Sequence, residues 1–158
     1  MPGLDTPPVT KSGPKMSKPT SIHYRIPLRG LKVSTNKIYA GEHWNKRKQL
    51  KDSLISVAGY FCRPVQKVES YPVEISYRFI FGTRALDTLN CAYMAKMFED
   101  ALRSFGVLED DDPKRVARSV LEVVALPSEK RSKKADAQGP KSNAEDKDWL
   151  ELTITSLV

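Results

Sequence analysis

Between Arg84 and Asp112 the chain reads RALDTLNCAYMAKMFEDALRSFGVLEDDD. One carboxylate, Asp87, stands ahead of an apolar run, Lys96 stands within it, and four consecutive acids, Glu109 to Asp112, follow it. Carboxylates and a lysine in this arrangement are the residue types that phosphodiester hydrolysis uses. Mg²⁺ or Mn²⁺ takes oxygen ligands and needs only one or two carboxylates when water and substrate phosphate complete its coordination. Such an ion polarises the phosphoryl group and lowers the pKa of an attacking water. A lysine on the same helix stabilises charge on the scissile phosphate or orients the water. The same residues also have plainer uses. Asp87 and Thr88 are ordinary helix-capping types, the acidic run before Pro113 reads as a solvated turn, and Lys96 with Asp100 is an i,i+4 pair.

The elements that must position these groups follow from periodicity. Alternation of Ile22, Tyr24, Ile26 and Leu28 with polar residues predicts a strand over 21–28, and Pro27 argues for an edge or a strand end. Residues 29–41 read as a loop with some extended character. Near-helical spacing of Trp44, Leu50, Leu54, Ile55, Val57, Ala58 and Phe61 predicts a helix over about 42–61. Its first half is crowded with Lys46, Arg47, Lys48 and Lys51, where the helix dipole gains nothing from cations. Val73, Ile75, Tyr77, Phe79 and Phe81 predict a strand over 72–82. Met94, Met97, Phe98, Ala101, Leu102 and Phe105 mark the buried face of a helix over about 90–105, with Gly106 placed to end it. Two more strands are expected at about 116–126 and at the C-terminal WLELTITSLV. The order specifies an α+β class, a small mixed β-sheet against two main helices in a single domain. Residues 1–20 have the composition of a disordered tail, and about 128–147 that of a mobile loop.

A helix over 90–105 rises roughly 24 Å, so acids at its two ends meet only if tertiary packing turns the second group back. The expected route is a strand after Asp112 running beside the 72–82 strand.

With 26 Lys and Arg against 19 Asp and Glu, the net charge of +7 favours a polyanionic partner. The candidate contacts are Lys46, Arg47, Lys48, Lys51, Arg84, Lys114 and Arg115. No apolar run reaches the ~18 residues of a membrane span and no secretory signal opens the chain, so an intracellular, soluble protein with no membrane partner is expected. Cys62 and Cys91 form no CxxC pair and read as small buried thiols. His43-Trp44-Asn45 brings an HNH nuclease to mind, but His23 is the only other histidine and is out of register. No glycine-rich nucleotide fingerprint occurs, and no small-molecule cofactor is expected.

The ordered series Asp87-x-x-Asn90, Lys96, Asp100-Ala101-Leu102, Gly106-Val107-Leu108, Asp110-Asp111, Pro113 and Val116 resembles the RusA-like Holliday junction resolvases. STNKIYAGEHWNKRKQLKD resembles the family's early loop and first helix, and LELTIT its closing strand. The resemblance implies a homodimeric endonuclease that binds four-way DNA junctions and nicks symmetrically related strands with Mg²⁺ or Mn²⁺. It implies Asp87, Lys96 and Asp111 as catalytic residues, and Asp87, Asp111, Asp110 and Asn90 around the metal. Leu89 departs from the family's D-x-D-N by replacing its second aspartate, and about three extra residues precede Lys96. A diverged one-metal nuclease and a junction-binding protein that kept only the scaffold both follow from that loss.

Overall fold

Alternation with a period of two builds the sheet. In β1 (Ser21–Pro27) Ile22, Tyr24 and Ile26 are buried while Ser21, His23 and Arg25 face solvent. In β2 (Val73–Phe81) the buried residues include Val73, Ile75, Tyr77, Phe79 and Phe81. Successive side chains of a strand point to opposite faces, so each apolar set lies on one side. β3 (Val116–Ala125) and β4 (Asp148–Ser156) complete a four-stranded sheet in the order β1-β4-β2-β3. β4 is antiparallel to both β1 and β2, whereas β2 and β3 are parallel. This computed structural model describes residues 20–127 and 147–158. The tail read over 1–20 and the loop read over 128–147 therefore lie almost wholly outside the described residues.

Helices cover the apolar face. α2 (Trp44–Phe61) contributes Leu54 and Ala58, and α3 (Ala92–Ser104) contributes Met94, Met97, Phe98, Ala101 and Leu102, to one core shared with β1, β2 and β4. The expected α+β class, with a small mixed sheet against two main helices, is the architecture observed. Pro27 ends β1, which is an edge strand.

Two local details differ from the sequence reading. A short helix, α1 (Thr35–Tyr39), forms within the expected loop. Five residues are too few to be helical on their own, and tertiary bonds hold them: Thr35 Oγ1 donates to the carbonyl of Asn90 and accepts from the backbone N–H of Tyr93. The helix expected from Asn90 instead opens as a 3₁₀ turn, Thr88–Cys91, and becomes α-helical at Ala92.

The parallel pairing fixes where the acids lie. Val73 is in register with Val116, and Phe81 with Ala125. The acidic run leads into the start of β3, at the Val73 end of the sheet, whereas Asp87 follows Phe81 at the other end. α3 spans the gap.

At the end of α3, Gly106 takes φ +78°. The N–H of Val107 reaches the carbonyl of Leu102 at 2.9 Å, and that of Gly106 reaches Arg103 at 3.1 Å. This is the Schellman arrangement, which favours glycine at its left-handed residue. Val107 and Leu108 are then buried, and the chain doubles back along the helix it has just left.

Candidate functional site

That reversal brings Asp111 onto α3. Lys96 Nζ donates to Asp111 Oδ2 at 2.5 Å and to Glu99 Oε1 at 3.2 Å, and lies 3.3 Å from Asp100 Oδ1. Arg103, two turns beyond Lys96 on the same face, donates to Asp111 Oδ1 at 3.1 Å and lies 3.6 Å from Asp110 Oδ1. Tyr77, buried on β2, donates its hydroxyl to Glu99 Oε2 at 3.0 Å. Lys51 reaches across from α2 to Asp100 at 3.6 Å.

The charges settle each other. Desolvation opposes the ammonium of Lys96, but hydrogen bonds to Asp111 and Glu99 outweigh it and hold its pKa above the ordinary lysine value. Lys96 is therefore cationic throughout the neutral range. Its hydrogen bond in turn holds the Asp111 carboxyl below the usual aspartate value. Burial, and then the charge of Glu99, push the Tyr77 hydroxyl far up, so it stays protonated and donating.

Asp87 stands at the other end of α3, in different surroundings. It occupies the cap position of the 3₁₀ turn but makes no side-chain cap bond. Its hydrogen bond is a long one, 3.4 Å from Asn90 Nδ2. Asp87 lines a cavity of about 290 Å³ together with Lys32, Arg84, Ala85, Leu86 and Asn90. Lys32 Nζ donates to Thr83 Oγ1 at 3.0 Å and to the Arg84 carbonyl at 2.5 Å. Leu89, where the resembled motif carries an aspartate, is 82% exposed beside Asp87.

The site residues named from sequence thus fall into two groups. Lys96, Asp110 and Asp111 gather along α3, and Asp87 and Asn90 gather at its entrance. Nine positions separate Asp87 from Lys96, four in the 3₁₀ turn and five on α3, a rise of about 15 Å. The strand after Asp112 does run beside β2, as the convergence of the acids required, but its parallel direction delivers the acidic run to the far end. Among the described residues no three His, Cys, Asp or Glu side chains stand together as a metal-holding group.

Asn90 has a different occupation from the metal ligand implied by the resemblance. Its amide oxygen accepts from Ser34 Oγ at 2.9 Å and from the backbone N–H of Asn36 at 3.2 Å. Both lone pairs are committed, and the residue ties the Asp87 turn to α1. Both Asp111 oxygens are likewise engaged. Asp87 is the one named carboxylate left without a cation or backbone partner among the described residues, and a hard cation held there would draw its other ligands from water and phosphate oxygens.

Asp112, by contrast, is a turn residue. Its Oδ1 accepts from the backbone N–H groups of Lys114 and Arg115. Arg115 is held by Glu109 at 3.2 Å and by Asp112 at 2.6 Å. Of the cations named as nucleic-acid contacts, Lys46 pairs with Glu42 at 2.8 Å and Lys51 with Asp100. Arg47, Lys48, Arg84 and Lys114 are exposed and have no carboxylate partner among the described residues. Both cysteines are buried and free, and burial pushes each thiol up to about 11.

Sequence reasoning missed Arg103 and Lys32. Arg103 carried a signal, because it lies seven positions from Lys96 and so on the same helical face. Lys32 carried none, since it lies in an irregular segment and meets Thr83 and Arg84 only through the fold.

Neither the protein-family models nor the curated proteins searched match this chain. Among the described residues no helix is long and apolar enough to cross a membrane.

Proposed function

We propose that this chain is a structure-selective endonuclease that cuts branched, four-way DNA inside the cell by Mg²⁺- or Mn²⁺-dependent phosphodiester hydrolysis. The observation that supports the reading most is the carboxylate of Asp87. It occupies a cap position without capping, and it opens on a cavity whose wall also carries Lys32 and Arg84. An exposed acid that caps nothing and pairs with no cation among the described residues contributes little to helix stability. When bound, the metal supplies Lewis-acid charge and a more acidic water. Asp87 is the residue assigned to hold it. Lys96, implied as catalytic by the resemblance, lies farther along α3 and is held by Glu99, Asp100 and Asp111, with Arg103 on the other oxygen of Asp111, so its part in the cutting step requires those contacts to open. Participation of Asp110 and Asp111 in metal binding requires the Lys96 and Arg103 contacts to open.

Arg47, Lys48, Arg84 and Lys114 are assigned to the DNA backbone, where each neutralised phosphate releases counterions. A homodimer suits a near-two-fold junction. Its surface is assigned to the edge of β3, an outer strand on which Val120 is 38% exposed.

A second reading, a junction-binding protein without nuclease activity, is favoured by Leu89, which puts an exposed apolar side chain where the resembled motif has a metal ligand. Nicking of a labelled four-way junction, compared with linear duplex of the same sequence in Mg²⁺, Mn²⁺ or EDTA, separates the two. Metal-dependent paired nicks on the junction support the nuclease. Tight, metal-independent junction binding without nicks supports the second reading.

A further inference from the structure

Resting on the branched-DNA reading, we propose that Lys32 is a phosphate-binding residue, which together with Arg84 forms a subsite for a backbone phosphodiester beside Asp87. Lys32 has no carboxylate partner among the described residues, yet its ammonium is held in place. Thr83 Oγ1 lies 2.6 Å from Asp148 Oδ2 and 3.0 Å from Lys32 Nζ. Asp148 is acceptor-only when ionised, so the Thr83 hydroxyl donates to it and must accept from Lys32. The other Asp148 oxygen takes the backbone N–H of Thr83 at 3.0 Å. Asp148 is 6% exposed, so a buried carboxylate fixes the threonine that fixes the lysine.

The second donor of Lys32 goes to the Arg84 carbonyl, and its ammonium lies 5.5 Å from the centre of the Phe81 ring. Two of the three N–H donors are used on neutral oxygens. The third has no acceptor among the described residues, and Lys32 lines the cavity that it shares with Arg84 and Asp87. Arg84, exposed and without a carboxylate partner among the described residues, lines the same cavity and brings a second cation to it. Lys32 and Arg84 outnumber the single acid Asp87 among the lining residues, so the cavity carries net positive charge toward a phosphate without a metal. A lysine restrained through two neutral acceptors keeps its charge available to a ligand, unlike Lys96, which is surrounded by carboxylates. The two lysines are thus placed differently: the charge of Lys32 is open to a backbone phosphate at the entrance of α3, whereas that of Lys96 is met by carboxylates farther along the helix.

The test is binding of a labelled four-way junction across a NaCl series in EDTA, followed by single-turnover nicking at saturating protein in Mg²⁺. The proteins are the full chain, Lys32→Ala, Lys32→Gln, which removes the charge but keeps a donor for Thr83, and Thr83→Val, which keeps the lysine and removes its anchor. The expected result is that both Lys32 variants lower the slope of log K against log[salt] by about 0.9, the value of one phosphate contact. Thr83→Val leaves the slope in place while slowing nicking. If the full chain binds the junction and a folded Lys32→Gln matches it in salt slope and nicking rate, the subsite is overturned while the branched-DNA reading stands. If the full chain does not bind the junction, both fall.

Discussion

Lys96 and Asp111 are fifteen positions apart in the chain and meet at 2.5 Å, because the Schellman turn at Gly106 sends the acidic run back along α3. The pair is half exposed on the lysine side and much less so on the aspartate side. Exposed ion pairs contribute about 0.2–1 kcal/mol each, so its value to the fold is small. Lys96→Met is expected to shift the thermal midpoint by only about 2–4 °C while lowering the nicking rate by roughly 10²-fold. Melting curves and single-turnover rates on one preparation check both halves.

Stability should respond to acid through Asp111. Its folded pKa lies below the unfolded value of about 3.9, because Lys96 favours the ionised form. A depressed carboxyl pKa adds stability that is fully present above the unfolded value and is lost as pH falls through the folded one. Below about pH 4 the natural protein should therefore lose stability more steeply than Asp111→Asn. Thermal unfolding at a series of pH values from neutral to strongly acid gives the two slopes.

Two classes of surface cation should behave differently on DNA. Arg47→Ala and Lys48→Ala are each expected to reduce the salt slope of junction binding by about 0.9. Arg115→Ala should leave it nearly unchanged, because Glu109 and Asp112 already hold that guanidinium. Salt titrations of the three variants decide this, and an equal effect at Arg115 would contradict the assignment.

Gly82 joins β2 to the loop that carries Thr83, Arg84 and Asp87. A Cβ there would stand 2.7 Å from the Lys147 carbonyl oxygen, closer than real contacts allow. Its N–H donates to that same oxygen at 2.9 Å, so the two backbones cannot separate without losing the bond. Gly82→Ala is expected to cost about 1–3 kcal/mol in denaturant unfolding.

The parts of the fold that depend on period were legible. Ile22, Tyr24 and Ile26, the Val73 to Phe81 alternation and the Met94 to Leu102 stripe each disclose a buried face, because burial requires those spacings. What periodicity does not encode is strand direction. Parallel pairing of Val73 with Val116 leads the acidic run into the end of the sheet opposite the one that Asp87 follows, and only the assembled sheet specifies it. α1 was hidden because Asn90 and Tyr93, distant in sequence, hold it together. Trp44 fits the apolar spacing of α2 but is 62% exposed, since it stands on the first turn, beyond the reach of the core. Within the site, residue type identified Asp87, Lys96 and Asp111 as candidates for chemistry. The commitment of the Asn90 oxygen to Ser34 and Asn36 is a property of neighbours that no spacing reveals.

Asp87 is assigned as the metal-holding carboxylate of the proposed junction nuclease. The most direct measurement is single-turnover nicking of a labelled four-way junction in Mg²⁺ by the natural chain and by Asp87→Asn, with junction affinity measured alongside in EDTA. Paired nicks by the natural chain are expected, with a loss of about 10²-fold in Asp87→Asn and junction affinity in EDTA that is unreduced. Equal nicking by the two proteins, or no nicking by the natural chain in Mg²⁺ or Mn²⁺ despite tight junction binding, would contradict the assignment.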